Sequence, residues 1–129
     1  MGKKIIYDDT PIIYLAMFWG GGGPYTISQI MHVYDWINRG IPTREDLEKA
    51  LNTLLALNFI EMKDDKFLVT RKIGKDFDVF RKKKRNGKFK IVRMYFEKFD
   101  LSAKFPRVVK ISKKLYSDEL KKYHKFMDS

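Results

Sequence analysis

Residues 43–70 read TREDLEKALNTLLALNFIEMKDDKFLVT and divide at Asn58 into a helical half and a hairpin half. Thr43 is suited to cap free amides at a helix start, and Glu45 and Asp46 place negative charge at the positive end of the helix dipole. Leu47, Ala50, Leu51, Leu54 and Leu55 recur at helical intervals and make a buried stripe. Asn58 tolerates the left-handed conformation that stops a helix. Beyond it, Phe59 to Lys63 and Lys66 to Thr70 are β-prone, with Ile60 alternating with Met62 and Phe67 with Val69. Asp64-Asp65 leaves room only for a tight hairpin turn.

Upstream, Thr10-Pro11 starts a first helix, with Thr10 as cap and Ile12, Leu15, Ala16 and Trp19 on one face. Gly20 to Gly23 and Pro24 end it. Thr26-Ile27-Ser28-Gln29 has the spacing of a capping box, and Ile27, Ile30, Met31, Tyr34 and Ile37 carry a second helix to about Asn38. Arg39-Gly40-Ile41-Pro42 stops it.

Downstream, Thr70 opens a fourth helix with Ile73, Phe77 and Phe80 on one face, interrupted early by Gly74. Phe89, Val92, Phe96 and Phe99 favour a further helix, although Asn86-Gly87 followed by Ile91-Val92 would also suit a strand. Pro106 breaks the chain. Ser117, Asp118 and Glu119 open a last amphipathic helix with the stripe Leu120, Tyr123, His124 and Met127.

Three helices, a two-stranded hairpin and another helix resemble the winged helix-turn-helix superfamily over about Thr10 to Phe80. The run Leu47-Glu48-Lys49-Ala50-Leu51-Asn52-Thr53-Leu54-Leu55-Ala56-Leu57-Asn58-Phe59-Ile60 looks like that family's recognition helix entering its first wing strand. Leu68-Val69-Thr70-Arg71-Lys72-Ile73-Gly74 is similar to the second wing strand entering the next helix. The fold expected is therefore mainly α with a small β-hairpin (α+β). A winged helix-turn-helix would span residues 1–80, and a basic, mostly helical C-terminal extension, residues 81–129, would pack on it or dimerise it.

A chain of 129 residues with 44% apolar and 15% aromatic residues is long enough for one real core, so its 33% charge must coat a surface. With no cysteine, a disulfide framework, a thiolate metal site and a cysteine nucleophile are excluded, which fits a cytoplasmic protein. The apolar run Ile12 to Trp19 is too short to cross a bilayer and follows Asp8 and Asp9 rather than a basic segment. Met1-Gly2 lacks the Ser or Thr that myristoylation wants at the sixth position, where Ile6 stands. Gly20 to Gly23 lack the Lys-Ser/Thr of a phosphate loop. His32 and His124 have no partner at ligand spacing, and no Ser-His-Asp grouping stands out, so neither an enzyme, a metal nor a cofactor is expected.

Charge is lopsided. Residues 1–70 hold seven Lys and Arg against nine Asp and Glu, a net −2, whereas residues 71–129 hold twenty against seven, a net +13. The resemblance implies a DNA-binding transcriptional regulator whose third helix, roughly 20 Å long at about 1.5 Å per residue, enters the major groove. Arg44, Lys49, Asn52 and Thr53 would face the bases and phosphates beside Glu48, and that face is expected to be moderately exposed. Lys63 and Lys66 are the wing's candidates, flanking Asp64 and Asp65. Arg81, Lys82, Lys83, Lys84 and Arg85, followed by Lys88, Lys90 and Arg93, are the strongest phosphate candidates.

Each feature has a plainer reading. Glu45, Asp46 and Glu48 would repel a polyanion and suit a solvated helix face, and the basic run would simply complement the negative pole of a helix. Phe89, Tyr95, Phe96, Phe99, Phe105, Tyr116, Tyr123 and Phe126 alternate with lysines as in base-stacking surfaces, yet their spacing favours packing. Two functions are thus in play. One is double-stranded DNA binding, with a homodimer through the C-terminal helices; the other is a winged-helix protein–protein interaction module that does not touch DNA.

Overall fold

The computed structural model describes residues 8–101 and 103–127. The Met1–Ile6 stretch considered for acylation lies outside them. The elements in order are α1 (Thr10–Trp19), α2 (Ile27–Asn38), α3 (Arg44–Ala56), β1 (Ile60–Lys63), β2 (Lys66–Val69), α4 (Arg71–Lys82), α5 (Lys88–Phe96) and α6 (Lys113–Met127). This is a mainly helical α+β chain with one antiparallel hairpin.

The axis of the fold is α1. All residues from Thr10 to Met17 are buried, so the expected single apolar face of this helix is instead a helix wrapped on every side, as a continuous apolar run requires. Its neighbours are α2, α3, α5 and β2. The Tyr14 ring meets Phe59, Phe77 and Phe96 edge-on at 5.0, 5.7 and 5.7 Å, the geometry that ring quadrupoles favour. Trp19, expected on the buried face, stands 43% exposed where the helix runs out. Thr10 is not the cap: that position falls one residue earlier, at Asp9, and the Asp8 carboxylate accepts the Thr10 amide at 2.9 Å.

Local signals elsewhere behave as read. The Thr26 hydroxyl accepts the Gln29 amide at 3.3 Å while Gln29 Oε1 accepts the Thr26 amide at 2.8 Å, a complete capping box. Asn58 adopts φ +61, and the hairpin pairs Lys63 with Lys66 across Asp64 and Asp65, whose φ values of 52 and 61 match the handedness of a two-residue strand turn. A third extended residue joins the hairpin. Tyr25 exchanges backbone hydrogen bonds of 2.7 and 2.8 Å with Phe67. Only glycine suits position 23 beside it, because φ is +95 and an added Cβ would lie 2.6 Å from the Phe67 carbonyl oxygen.

The basic half of the chain is helical and shares the core of the first half. Ile91, Val92, Tyr95 and Phe96 of α5, together with Val109, Ile111 and Tyr123, join one apolar cluster with α1 to β2. The last helix begins at Lys113 rather than Ser117, because the Ser112 hydroxyl accepts the Leu115 amide at 3.0 Å and supplies the cap five residues earlier. It lies along α2, fixed by Tyr123 donating to Asp35 and by Tyr116 donating to the Pro42 carbonyl at 2.7 Å. Burial, helped by the Asp35 carboxylate, pushes the Tyr123 phenol up to about 12. Tyr123 of the expected dimer stripe is therefore spent inside the protomer, while His124 and Met127 point outward.

Candidate nucleic-acid interface

The outward face of α3 is partly covered, with Glu45 and Lys49 left exposed. Between α5 and α6 the chain crosses it without regular secondary structure, and this strap, from Ala103 to Ile111, is held by α3 side chains one helical turn apart. Asn52 Nδ2 donates to the Val109 carbonyl at 2.8 Å and Asn52 Oδ1 accepts the Val109 amide at 2.6 Å. One turn back, Glu48 Oε2 accepts the Ile111 amide at 2.7 Å, and another turn back Arg44 Nη1 donates to the Ile111 carbonyl at 3.0 Å. Arg107 closes the other side of the Glu48 carboxylate through Nε and Nη2, the latter at 3.2 Å.

The four α3 residues expected to face DNA are placed differently. Asn52 is 7% and Thr53 2% exposed, so neither reaches a base edge, and the expected exposure is corrected at these two positions. Arg44 is engaged with the strap and with Glu45 at 3.0 Å. Lys49 stays half-exposed and pairs with Asp8 at 3.2 Å. The physical reason is that periodicity separates the apolar stripe from the polar face, and a polar face is as ready to bind a backbone as to meet water or DNA.

The strap also alters the charge of this surface. The Arg107 hydrogen bonds, aided by the Ile111 amide, hold the Glu48 carboxyl below its ordinary range despite its partial burial. Lys104, Arg107 and Lys110 lie exposed along the strap, and of these Arg107 pairs with the Glu48 carboxylate.

In the hairpin, Lys63 and Lys66 are exposed and form no ion pair among the described residues. At the end of α4 the basic run splits in two. Arg81 and Lys82 share Asp78, at 2.6 and 3.0 Å, and Lys82 foremost, with Arg81, holds that carboxyl below its usual range. Arg81 also lies over the Phe18 and Trp19 rings at 5.7 and 5.4 Å, a cation–π stack. Lys83, Lys84 and Arg85 are exposed in the turn that follows, Lys88 and Lys90 are exposed at the start of α5, and none of these five pairs with a carboxylate among the described residues.

Of the interleaved aromatics, Tyr95, Phe96 and Tyr123 are buried, Phe89, Phe99, Phe105 and Tyr116 partly so, and Phe126 is 64% exposed. Packing is their main use. A cleft of about 480 Å³ between the α1–α2 loop, α2 and α6 is lined by Tyr25, His32, Tyr123 and Phe126.

Sequence reasoning missed Arg107, Val109 and Ile111 as structural partners of α3. The available signal was the alternation of Val109 and Ile111 just after Pro106, a short β-like pattern of period two.

No protein family, curated protein or solved structure matches the chain. Among the described residues no cluster of three His, Asp or Glu could hold a metal ion, and no helix is long and apolar enough to cross a membrane.

Proposed function

We propose that the chain is a cytoplasmic winged-helix protein that binds double-stranded DNA through its phosphates, using the basic turn between α4 and α5 rather than α3. The element order, with Tyr25 bridged to β2 between the first two helices, supports the winged-helix assignment. The observation that carries the binding reading is the set Lys83, Lys84, Arg85, Lys88 and Lys90, five exposed cations with no carboxylate partner among the described residues. Such a set neutralises phosphates and reads no bases, so the binding would be weakly sequence-selective and steeply salt-dependent.

The test is binding of a random duplex pool across a salt series, comparing the native chain with one in which these five cations are glutamine. Loss of up to five phosphate contacts lowers the log–log salt slope by as much as about 4.5, at about 0.9 per contact. Equal slopes for the two proteins, or no binding by the native chain at low salt, would defeat the proposal. A second reading, a protein-interaction module, draws support from α3, whose outer face is taken up by a peptide backbone.

A further inference from the structure

We propose that the cleft between the α1–α2 loop, α2 and α6 is a binding site for a small flat aromatic carboxylate. The inference is independent of DNA binding. It begins with size: about 480 Å³ falls within the roughly 300 to 1,000 Å³ typical of small-molecule sites.

The walls select rings. Tyr25 from the loop, His32 from α2, and Tyr123 and Phe126 from α6 all line the cleft. The polar ends of both tyrosines are committed to the protein, Tyr25 donating to the Met17 carbonyl at 2.8 Å and Tyr123 to Asp35, so what they offer a ligand is ring surface. The seat of Tyr25 depends on Gly20, where an added Cβ would lie 2.6 Å from the Tyr25 hydroxyl and 2.8 Å from Val33. On the outer side Phe126 is 64% exposed and meets His32 edge-on at 5.1 Å. A flat ring inserted there covers apolar surface that the protein itself leaves open, and it gains the offset or edge-on contacts that aromatic pairs prefer.

The charge selects a carboxylate. Lys122 lines the cleft, and among the described residues no Asp or Glu does. The nearest carboxylate to the Lys122 ammonium, that of Glu119, stands 3.7 Å away, beyond hydrogen-bond range, so the ammonium keeps its donors for a ligand. Thr26, Ser28 and Gln29, which also line the cleft, form the start of α2 and so its positive pole, which adds a field of the same sign. A neutral ring would gain only the walls, and an aromatic amine would meet Lys122 with like charge.

The test titrates naphthoate, and in parallel naphthylmethanol, the neutral alcohol with the same rings, into the isotope-labelled full-length chain at about 0.15 M salt, where distant charges are screened. Amide resonances of Gln29, His32, Lys122 and Phe126 should shift saturably with naphthoate, with a Kd of about 1 mM or below for a probe of this size. The alcohol should bind about three- to fivefold more weakly, the scale of one exposed charge contact. Lys122→Gln should bring naphthoate down to the alcohol, while Phe126→Ala should weaken both probes by about threefold or more. Both positions are exposed, so neither change threatens the fold. No saturable shift at those amides up to about 10 mM naphthoate overturns the proposal. So does an alcohol that binds as tightly as the acid, a preference for the acid that survives Lys122→Gln, or native affinity in the Phe126→Ala chain.

Discussion

Asn52 grips Val109 by both edges of its peptide, donating to the carbonyl at 2.8 Å and accepting the amide at 2.6 Å, across 57 positions of sequence. An amide side chain is neutral and offers a donor and an acceptor side by side, so it stands in for a neighbouring strand. Asn52→Ala leaves both Val109 groups unpaired beneath the strap. It should lower unfolding stability by roughly 3 kcal/mol, at about 1 to 3 kcal/mol for each buried group left without a partner. Denaturant titration checks this, and a loss under about 0.5 kcal/mol would mean the clamp carries little.

Glu48 makes the strap sensitive to acid. Its carboxyl is held below the ordinary value of 4.5 by Arg107 and the Ile111 amide. A folded value below the unfolded one contributes stability that is present above about pH 4.5 and is lost as pH falls through the folded value. Protection of the Ile111 amide from hydrogen exchange should therefore drop on acidification within that window, and Glu48→Gln should flatten the dependence. Unchanged protection down to pH 3 in the native chain would contradict it.

Tyr14 holds its hydroxyl in the core with no hydrogen-bond partner among the described residues, and burial pushes its phenol far above the usual range. Tyr14→Phe keeps the edge-on ring contacts and removes the stranded group. The melting temperature should rise, by an amount corresponding to about 1 kcal/mol. A fall would show that the hydroxyl is satisfied.

Asp64 and Asp65 hold positive φ in the hairpin turn, where glycine and asparagine fit with less strain. Replacing them by Asn and Gly should stabilise the protein by about 0.5 to 1 kcal/mol, read from the denaturation midpoint. A lower midpoint would count against the assigned turn.

What could be read from sequence was what depends on near neighbours. The Thr26–Gln29 capping box, the left-handed Asn58 and the Asp64-Asp65 turn each involve groups within a few residues, so their chemistry is visible in order. The strap depends on Asn52 meeting Val109 and Glu48 meeting Ile111, pairings that no periodicity encodes. Polar residues on the far side of an amphipathic helix look alike whether they face water, phosphate or peptide. The start of α6 was misplaced because Ser117-Asp118-Glu119 imitates a cap while Ser112, with lysines after it, performs the function.

The wrapped position of α1 sets an order on the making of the protein. This helix leaves the ribosome well before the residues that cover it, and it is nearly all apolar. Part of its cover comes from Phe77 and Phe96, many residues later. At typical elongation rates of about 5 to 20 residues per second, roughly 4 to 15 seconds pass between the emergence of Trp19 and that of Phe96. Through that interval the nascent chain displays a sticky, unfinished centre, and for as long as it does, the growing polypeptide is a natural client for holding chaperones.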